Sequence, residues 1–297
     1  MTATAGKAIV AALGDNVDRL LAAEPEVRAD EPDSVHQMRV ATRRLRSVLR
    51  SYRGLFERTP ARTMGDELKW LAGVLGVARD AEVRAERFET LLTKHGQQSE
   101  HSAEDLELVT ARLVTAENNK YAAAHADVLL ALDSVRYREL RDELTEWRTE
   151  PPLRKSRAEV PAAEFFGVVL ERDRERVLGL IERETTVTPA ERVELLHDIR
   201  KSAKRLRYSC EAAETVLGTD AGELGSRAKR LQTVLGDHRD AVESQHAIYG
   251  IAADAGAAGE DTALYRILAG AEDTAARQAL SRYPDAAAAL CEQPHHS

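Results

Sequence analysis

Only 4% of the 297 residues are aromatic, and the β-branched runs that strands favour are missing. Two cysteines, Cys210 and Cys291, are too few for a disulfide framework or a four-cysteine zinc site. No apolar run approaches the roughly 18 residues that a membrane helix needs. The opening stretch, MTATAGKAIVAALGDN, lacks the charged-then-apolar layout of a secretion signal and meets Asp15 too early. Positive charge is not in excess: 42 basic residues stand against 50 acidic ones, a net charge of −8, which argues against a non-specific nucleic-acid binder. No Gly-x-x-x-x-Gly-Lys-Ser/Thr loop is present to cradle nucleotide phosphates.

What is there is a helix-forming vocabulary of Ala, Leu, Arg and Glu, 43% hydrophobic and 31% charged. A soluble, intracellular, all-α protein follows as the expectation, located in the cytoplasm. Apolar periodicity predicts helices at about 4–24, 32–57, 61–95, 102–132, 134–149, 161–184, 188–217, 221–254 and 258–282. Pro25 and Pro32 bracket the first gap, and Pro60 opens the third helix. Residues 95–102 read as a loop. Thr188, Pro189 and Glu191 have the spacing of an N-cap, a first-turn proline and a capping box. Gly218 and Gly250 read as markers of helix ends. The proline-containing break EPPLRKSRAEVP makes 150–160 a linker between a first helical bundle, 1–149, and a second, 161–297.

The chain repeats itself. HQMRVATRRLR (36–46) matches HDIRKSAKRLR (197–207), and GDELKWLAGVLGVARD (65–80) matches GSRAKRLQTVLGDHRD (225–240), at offsets of 161 and 160 residues. The period is too long for a solenoid. It implies two similar helical bundles facing each other across a pseudo-two-fold axis.

On a helical wheel, His36, Arg39, Arg43, Arg46, Arg50 and Arg53 share one arc. Met38, Ala41, Leu45, Val48, Leu49 and Tyr52 fill the adjoining arc, the expected core face. No acidic residue lies between His36 and Arg53. In the second copy His197, Arg200, Lys204 and Arg207 share an arc beside Ile199, Ala203, Leu206 and Cys210, with Lys201 and Tyr208 on its border. Like charges three and four residues apart cost a helix a few tenths of a kcal/mol per pair. An unrelieved stripe present twice therefore implies that an anion supplies the missing charge. Pairing with carboxylates on neighbouring helices is the alternative for any single arginine. In the second matched pair, Gly65, Lys69 and Gly76 recur as Gly225, Lys229 and Gly236, small residues that let a neighbouring backbone approach and leave a lysine on a low-relief face. Asp80 and Asp240, each next to an arginine, read as structural partners across helices. Trp70 and Trp147 read as core or interface residues. His95, His101, His295 and His296 read as loop or tail, with His125, His238 and His246 outside the stripes.

These residues resemble the CHAD family, the conserved histidine α-helical domain. The carrying pattern is Val35-His36-x-x-Arg39-x-x-x-Arg43-Arg44-Leu45-Arg46, its echo Leu196-His197-x-x-Arg200-Lys201-x-x-Lys204-Arg205-Leu206-Arg207-Tyr208, and the Leu-Gly-x-x-Arg-Asp segments at 75–80 and 235–240. The resemblance covers nearly the whole chain as one domain. It implies two antiparallel four-helix bundles around a basic central channel, polyphosphate as ligand, and association with polyphosphate granules and their other proteins. Such domains often follow a CYTH triphosphatase domain, whose Glu-x-Glu-x-Lys motif is absent ahead of the first histidine helix. The second copy departs from the first at Glu211 and Glu214, which occupy the wheel positions of Arg50 and Arg53.

Polyphosphate carries about one negative charge per phosphate and offers no ring to stack, so its reader needs a row of cationic donors and no aromatic platform. The expected polyphosphate-binding residues are His36, Arg39, Arg43, Arg46, Arg50, Lys69, His197, Arg200, Lys201, Lys204, Arg207 and Lys229. Scarce aromatics argue against single-stranded nucleic acid, which binds largely by stacking. The remaining alternatives are a phosphoryl-transfer enzyme using His36 or His197, and a nucleic-acid-associated scaffold. No metal, cofactor or membrane partner is expected, and the primary reading is a non-enzymatic binding module.

Overall fold

A computed structural model describes residues 3–96 and 102–292. Most of the expected 95–102 loop, and all of His101, His295 and His296, lie outside the described residues. The described residues are all-α, with two isolated β-bridges. In chain order the helices are α1 (Ala5–Arg28), α2 (Ser34–Ser51), α3 (Arg58–His95), α4 (Ala103–Thr110), α5 (Ala116–Asp133), α6 (Val135–Trp147), α7 (Lys155–Ala158), α8 (Ala162–Glu184), α9 (Pro189–Leu217), α10 (Thr219–Ala257), α11 (Ala263–Ser281) and α12 (Tyr283–Cys291). A π-helical turn, Ala111–Thr115, joins α4 to α5.

Start signals in the sequence translate directly into caps. Thr188 accepts from the Glu191 backbone N–H while the Glu191 carboxylate accepts from the Thr188 N–H at 3.0 Å, a complete capping box on α9. Stop signals translate less well. Pro25 does not end α1, which runs to Arg28: proline lacks a donor, but its carbonyl still accepts from Ala29 N–H at 3.0 Å. Gly250 lies inside α10, and the positive φ that closes that region belongs to Gly259, at 82°. The expected helix over 32–57 stops at Ser51, because the chain beyond it is claimed by another segment. Arg154 N–H donates to Leu55 O, and Glu57 N–H to Pro152 O, both at 2.8 Å.

The chain forms two compact units, and residues from both sides of 150–160 contribute to each. The first comprises the residues up to Leu75, Leu129–Thr233 and the segment from Pro284; it contains α1, α2, α6 to α9 and the N-terminal parts of α3 and α10. In this unit α2 packs against α1 and α9, and α9 against α8. The apolar arcs read from the wheel are the packed ones: Met38, Leu45 and Val48 on α2 and Ile199, Leu206 and Cys210 on α9 are buried. Tyr52 packs on Phe166 with ring centroids 4.5 Å apart, and its hydroxyl donates to Ser209 O at 2.7 Å. Phe56 stacks on the buried Trp147. Residues 150–160 are stitched to their surroundings: besides the bonds above, Ala5 N–H donates to Val160 O at 2.8 Å. Gly6 is needed there, since a Cβ would come within 2.8 Å of the Ala158 Cβ.

At the centre of this unit lies a carboxylate. Asp173 on α8 is 2% exposed and accepts from Ser51 at 2.9 Å, Ser209 at 2.8 Å and Arg205 at 3.0 Å, with Arg172 also at 3.0 Å. Burial pushes its pKa up, but Ser209, Arg205, Ser51 and Arg172 outweigh it and hold the carboxyl below its ordinary value. The second unit, Gly76–Val128 with Val234–Tyr283, has its own core of Phe88, Leu92, Leu113, Ile248, Tyr265 and Leu268. Its buried Glu272 takes both arms of the Arg87 guanidinium.

Asp173→Asn leaves Arg205 and Arg172 without their counter-charge and should destabilise the protein by about 3–5 kcal/mol at pH 7. Because the folded pKa is depressed, the contribution is full above the unfolded carboxylate pKa and is lost as pH falls through the lower folded value. Urea unfolding of wild type and variant should therefore diverge at pH 7 and draw together as pH falls below the unfolded carboxylate range. Equal stabilities at pH 7 would show that the carboxylate is not the tie between these helices.

Candidate functional site

The two repeated helices place their basic arcs against each other. Lys204 on α9 lies in the field of Arg200 and Arg207 from its own helix and of Arg39 and Arg43 from α2. Burial, then repulsion from Arg43, Arg200, Arg39 and Arg207, lowers its pKa to about 7. No ion pair relieves Lys204 among the described residues. Arg200 Nε is buried and has no hydrogen-bond partner among the described residues. Native structures rarely leave such a donor empty, least of all a charged one among like charges. The cluster holds positive charge that no carboxylate among the described residues neutralises at Lys204.

Arg43 is held in place from the side: its Nε donates to the Tyr208 hydroxyl at 2.8 Å. Arg43 and Arg207 both lie over the Tyr208 ring, at 5.7 and 5.3 Å from its centroid. Tyr208 itself is 2% exposed, so it orients cations and presents no face to a ligand. His36 and His197 sit half-buried nearer the N-terminal ends of the same two helices.

Other expected site residues are placed differently. Lys201 is paired with Asp198 one turn back, at 2.6 Å. Glu211 accepts from Arg44 and from Arg207, both at 2.9 Å, so the second arc ends in neutralised charge. Lys229 and Arg207 line a cavity of about 490 Å³ together with Asp15, Glu211 and Glu214, a lining of mixed sign. Gly225 forms part of that wall, where its missing Cβ admits Cys210. Lys69 is exposed on α3 and lines neither this cavity nor the next. A Cβ added at Gly65 would meet nothing within 4 Å, so this glycine serves no close approach. Arg79 and Arg239 pair along their own helices, with Glu82 and Glu243.

The first arc ends in the opposite way. Arg46 and Arg50 line a second cavity, of about 570 Å³, at the C-terminal end of α2. Burial and the neighbouring Arg50 lower the Arg46 pKa. Arg53, Arg58, Arg62 and Arg154 share the lining. The wheel supplied Arg53 but could not supply the other three, since they come from α3 and from the 150–160 segment. Nor did the stripe reveal Arg205, which points away to Asp173. A signal existed for that one: Arg205 is off the basic arc, and a charge off the arc needs its own partner.

Residues 11–249 match the CHAD domain family model. Two uncharacterized proteins of Mycobacterium tuberculosis, MT2285 and Rv2226, are each 38% identical to the chain over 261 residues, covering 86% of it and 48% of their own length. The chain thus spans about half the length of the curated relatives it matches. Among solved structures, PptA from Streptomyces chartreusis superposes with a TM-score of 0.75 at 18% identity, covering 96% of this chain and 99% of that one. The CHAD domain of the plant Ricinus communis superposes with a TM-score of 0.68 at 23% identity, covering 98% and 93%.

Lys204→Met tests whether the cluster costs stability. The unfolded chain binds the Lys204 proton up to about pH 10.5, the folded chain only to about pH 7. The charge therefore penalises folding in full below pH 7, and the penalty fades as pH rises to 10.5. The methionine keeps the apolar stem and removes the charge. The variant should melt roughly 5 °C higher at pH 6, with little gain at pH 10. A variant less stable than wild type at pH 6 would mean that Lys204 is a structural residue.

Proposed function

For this chain, which belongs to the CHAD domain family, we propose that it is a binding module for inorganic polyphosphate, held between α2 and α9. The observation that carries this reading is Lys204, half-buried among four arginines, with Arg200 Nε beside it unpartnered among the described residues. Such a site is incomplete until negative charge enters it. Arginine forks grip phosphate oxygens two at a time, and Lys204 adds a point charge that is restored when the anion raises its pKa.

The ligand class follows from what surrounds the cations. The aromatic ring at the cluster, Tyr208, is buried under two guanidinium groups and offers no stacking surface to a base. A ring-free chain of phosphates makes full use of such a site; a nucleic acid does not. Outside the arcs the acidic balance of the chain, −8 overall, repels bulk polyanion surfaces while the cleft stays positive. Binding proceeds without a chemical step, and association with polyphosphate granules in the cytoplasm follows from holding their polymer. Among the described residues no helix is long and apolar enough to cross a membrane.

Affinity should fall steeply with salt and rise with chain length until the arcs are spanned. A site neutralising about six phosphates gives a log–log salt slope on the order of −4, taking the coefficient for single-stranded polyelectrolytes. Arg43→Glu with Lys204→Glu should abolish binding while circular dichroism stays helical. Near pH 8, binding should take up a proton at Lys204, read by calorimetry in buffers of different ionisation enthalpy, and Lys204→Met should lose that uptake. Length-independent affinity, or shortening of the polymer on a gel, would overturn the reading in favour of an enzyme. Tighter binding of an oligonucleotide at matched phosphate concentration would favour the scaffold.

A further inference from the structure

We propose that the arginine-lined cavity at the end of α2 is a second phosphate-binding site, continuous with the Lys204 cluster, so that one polyphosphate chain occupies both. The bridging rests on the polyphosphate reading above; the second site itself rests on the cavity. Its lining contains Arg46, Arg50, Arg53, Arg58, Arg62 and Arg154, with Asp66 as the one carboxylate. None of the six makes an ion pair among the described residues. Elsewhere Arg28, Arg44, Arg87, Arg136, Arg148 and Arg205 reach carboxylates. Here six guanidinium groups and a single carboxylate leave the lining with a surplus of positive charge.

The cavity is also built rather than incidental. It gathers cations from three separate stretches of chain, and the stretches are locked together. The Phe56–Leu153 bridge and the Arg154–Leu55 and Glu57–Pro152 hydrogen bonds fix the 150–160 segment against the α2–α3 connection. Arg58 and Arg62 open α3, whose first-turn N–H groups add to the positive field. The remaining wall is Leu49, Gly54, Ala61 and Gly65, with no aromatic ring to select a base or a sugar. A compact, ring-free, multiply charged anion is the ligand that this lining fits.

Continuity comes from α2. Arg43 belongs to the Lys204 cluster and Arg46 to the cavity, three residues apart on one face, so their Cα atoms are only about 5 Å apart along the axis. On α9 the corresponding direction is closed by Glu211, already shared between Arg44 and Arg207. The phosphate track therefore leaves the cluster along α2 toward the arginine cavity, and the two histidine helices do unequal work.

The test uses the full chain with three probes, tripolyphosphate, a long-chain polyphosphate and an oligonucleotide, and two variants. Arg58→Gln/Arg62→Gln alters exposed residues of the cavity, and Arg43→Gln/Lys204→Gln alters the cluster. Calorimetry should give two tripolyphosphate ions per wild-type molecule and one for each variant. Long-chain affinity should drop at least tenfold in the cavity variant, because the second contact occurs at high effective concentration once the first is made. Unchanged tripolyphosphate stoichiometry and long-chain affinity in Arg58→Gln/Arg62→Gln would overturn the second site and leave the cluster reading intact. Loss of tripolyphosphate binding in the cavity variant alone, with the cluster variant like wild type, would do the reverse. Two sites for tripolyphosphate but an unaltered long-chain affinity in the cavity variant would refute the bridging. A larger loss for an oligonucleotide than for polyphosphate would assign the cavity to nucleic acid and count against the proposal.

Discussion

One buried carboxylate allows two cationic helices to lie side by side. The basic arcs of α2 and α9 repel each other, and where they meet neither Arg43 nor Lys204 pairs with a carboxylate among the described residues. Asp173, from a third helix, gathers Ser51 from α2 with Ser209 and Arg205 from α9. Around it, Tyr52 and Phe166 fill the joint with apolar area and a further hydrogen bond.

The arginines divide accordingly. Some, such as Arg87 and Arg148, hold a carboxylate with both arms of the fork and brace one helix on the next. Arg43, Arg46 and Arg50 on α2, and Arg58 and Arg62 at the start of α3, hold none among the described residues. Since a surface ion pair contributes less than about 1 kcal/mol, neutralising these residues would have been easy for the sequence to accomplish with a few glutamates. Leaving them bare keeps the cleft electropositive in a chain whose net charge is −8. Lys204 carries a clear consequence, with its pKa lowered to about 7.

The duplication was visible because charge and apolar spacing repeat in the primary sequence. It reads as symmetry, and the charges do not keep it. On α9, Lys201 is answered by Asp198 and Arg207 by Glu211. On α2 the same direction runs on through Arg46 and Arg50 into the arginine cavity. Glu211 and Glu214 announced a difference between the copies, yet only their contacts gave it a direction. The wheel likewise identified which residues share a face, but it carried no information on which residues from other helices face them.

By itself the sequence determined the elements and their faces: all-α structure, the capping box at Thr188, the buried stripe of Met38, Leu45 and Val48, and the identity of Arg43 and Lys204 as unrelieved cations. These depend on neighbours within about four positions along a helix, which periodicity records. The tertiary structure alone decided that Lys204 meets Arg39 and Arg43, that Asp173 ties α2 to α9, and that Arg58, Arg62 and Arg154 complete a second cavity with Arg46 and Arg50. Those partners are widely separated along the chain, and only packing of the apolar arcs brings them within reach of one another.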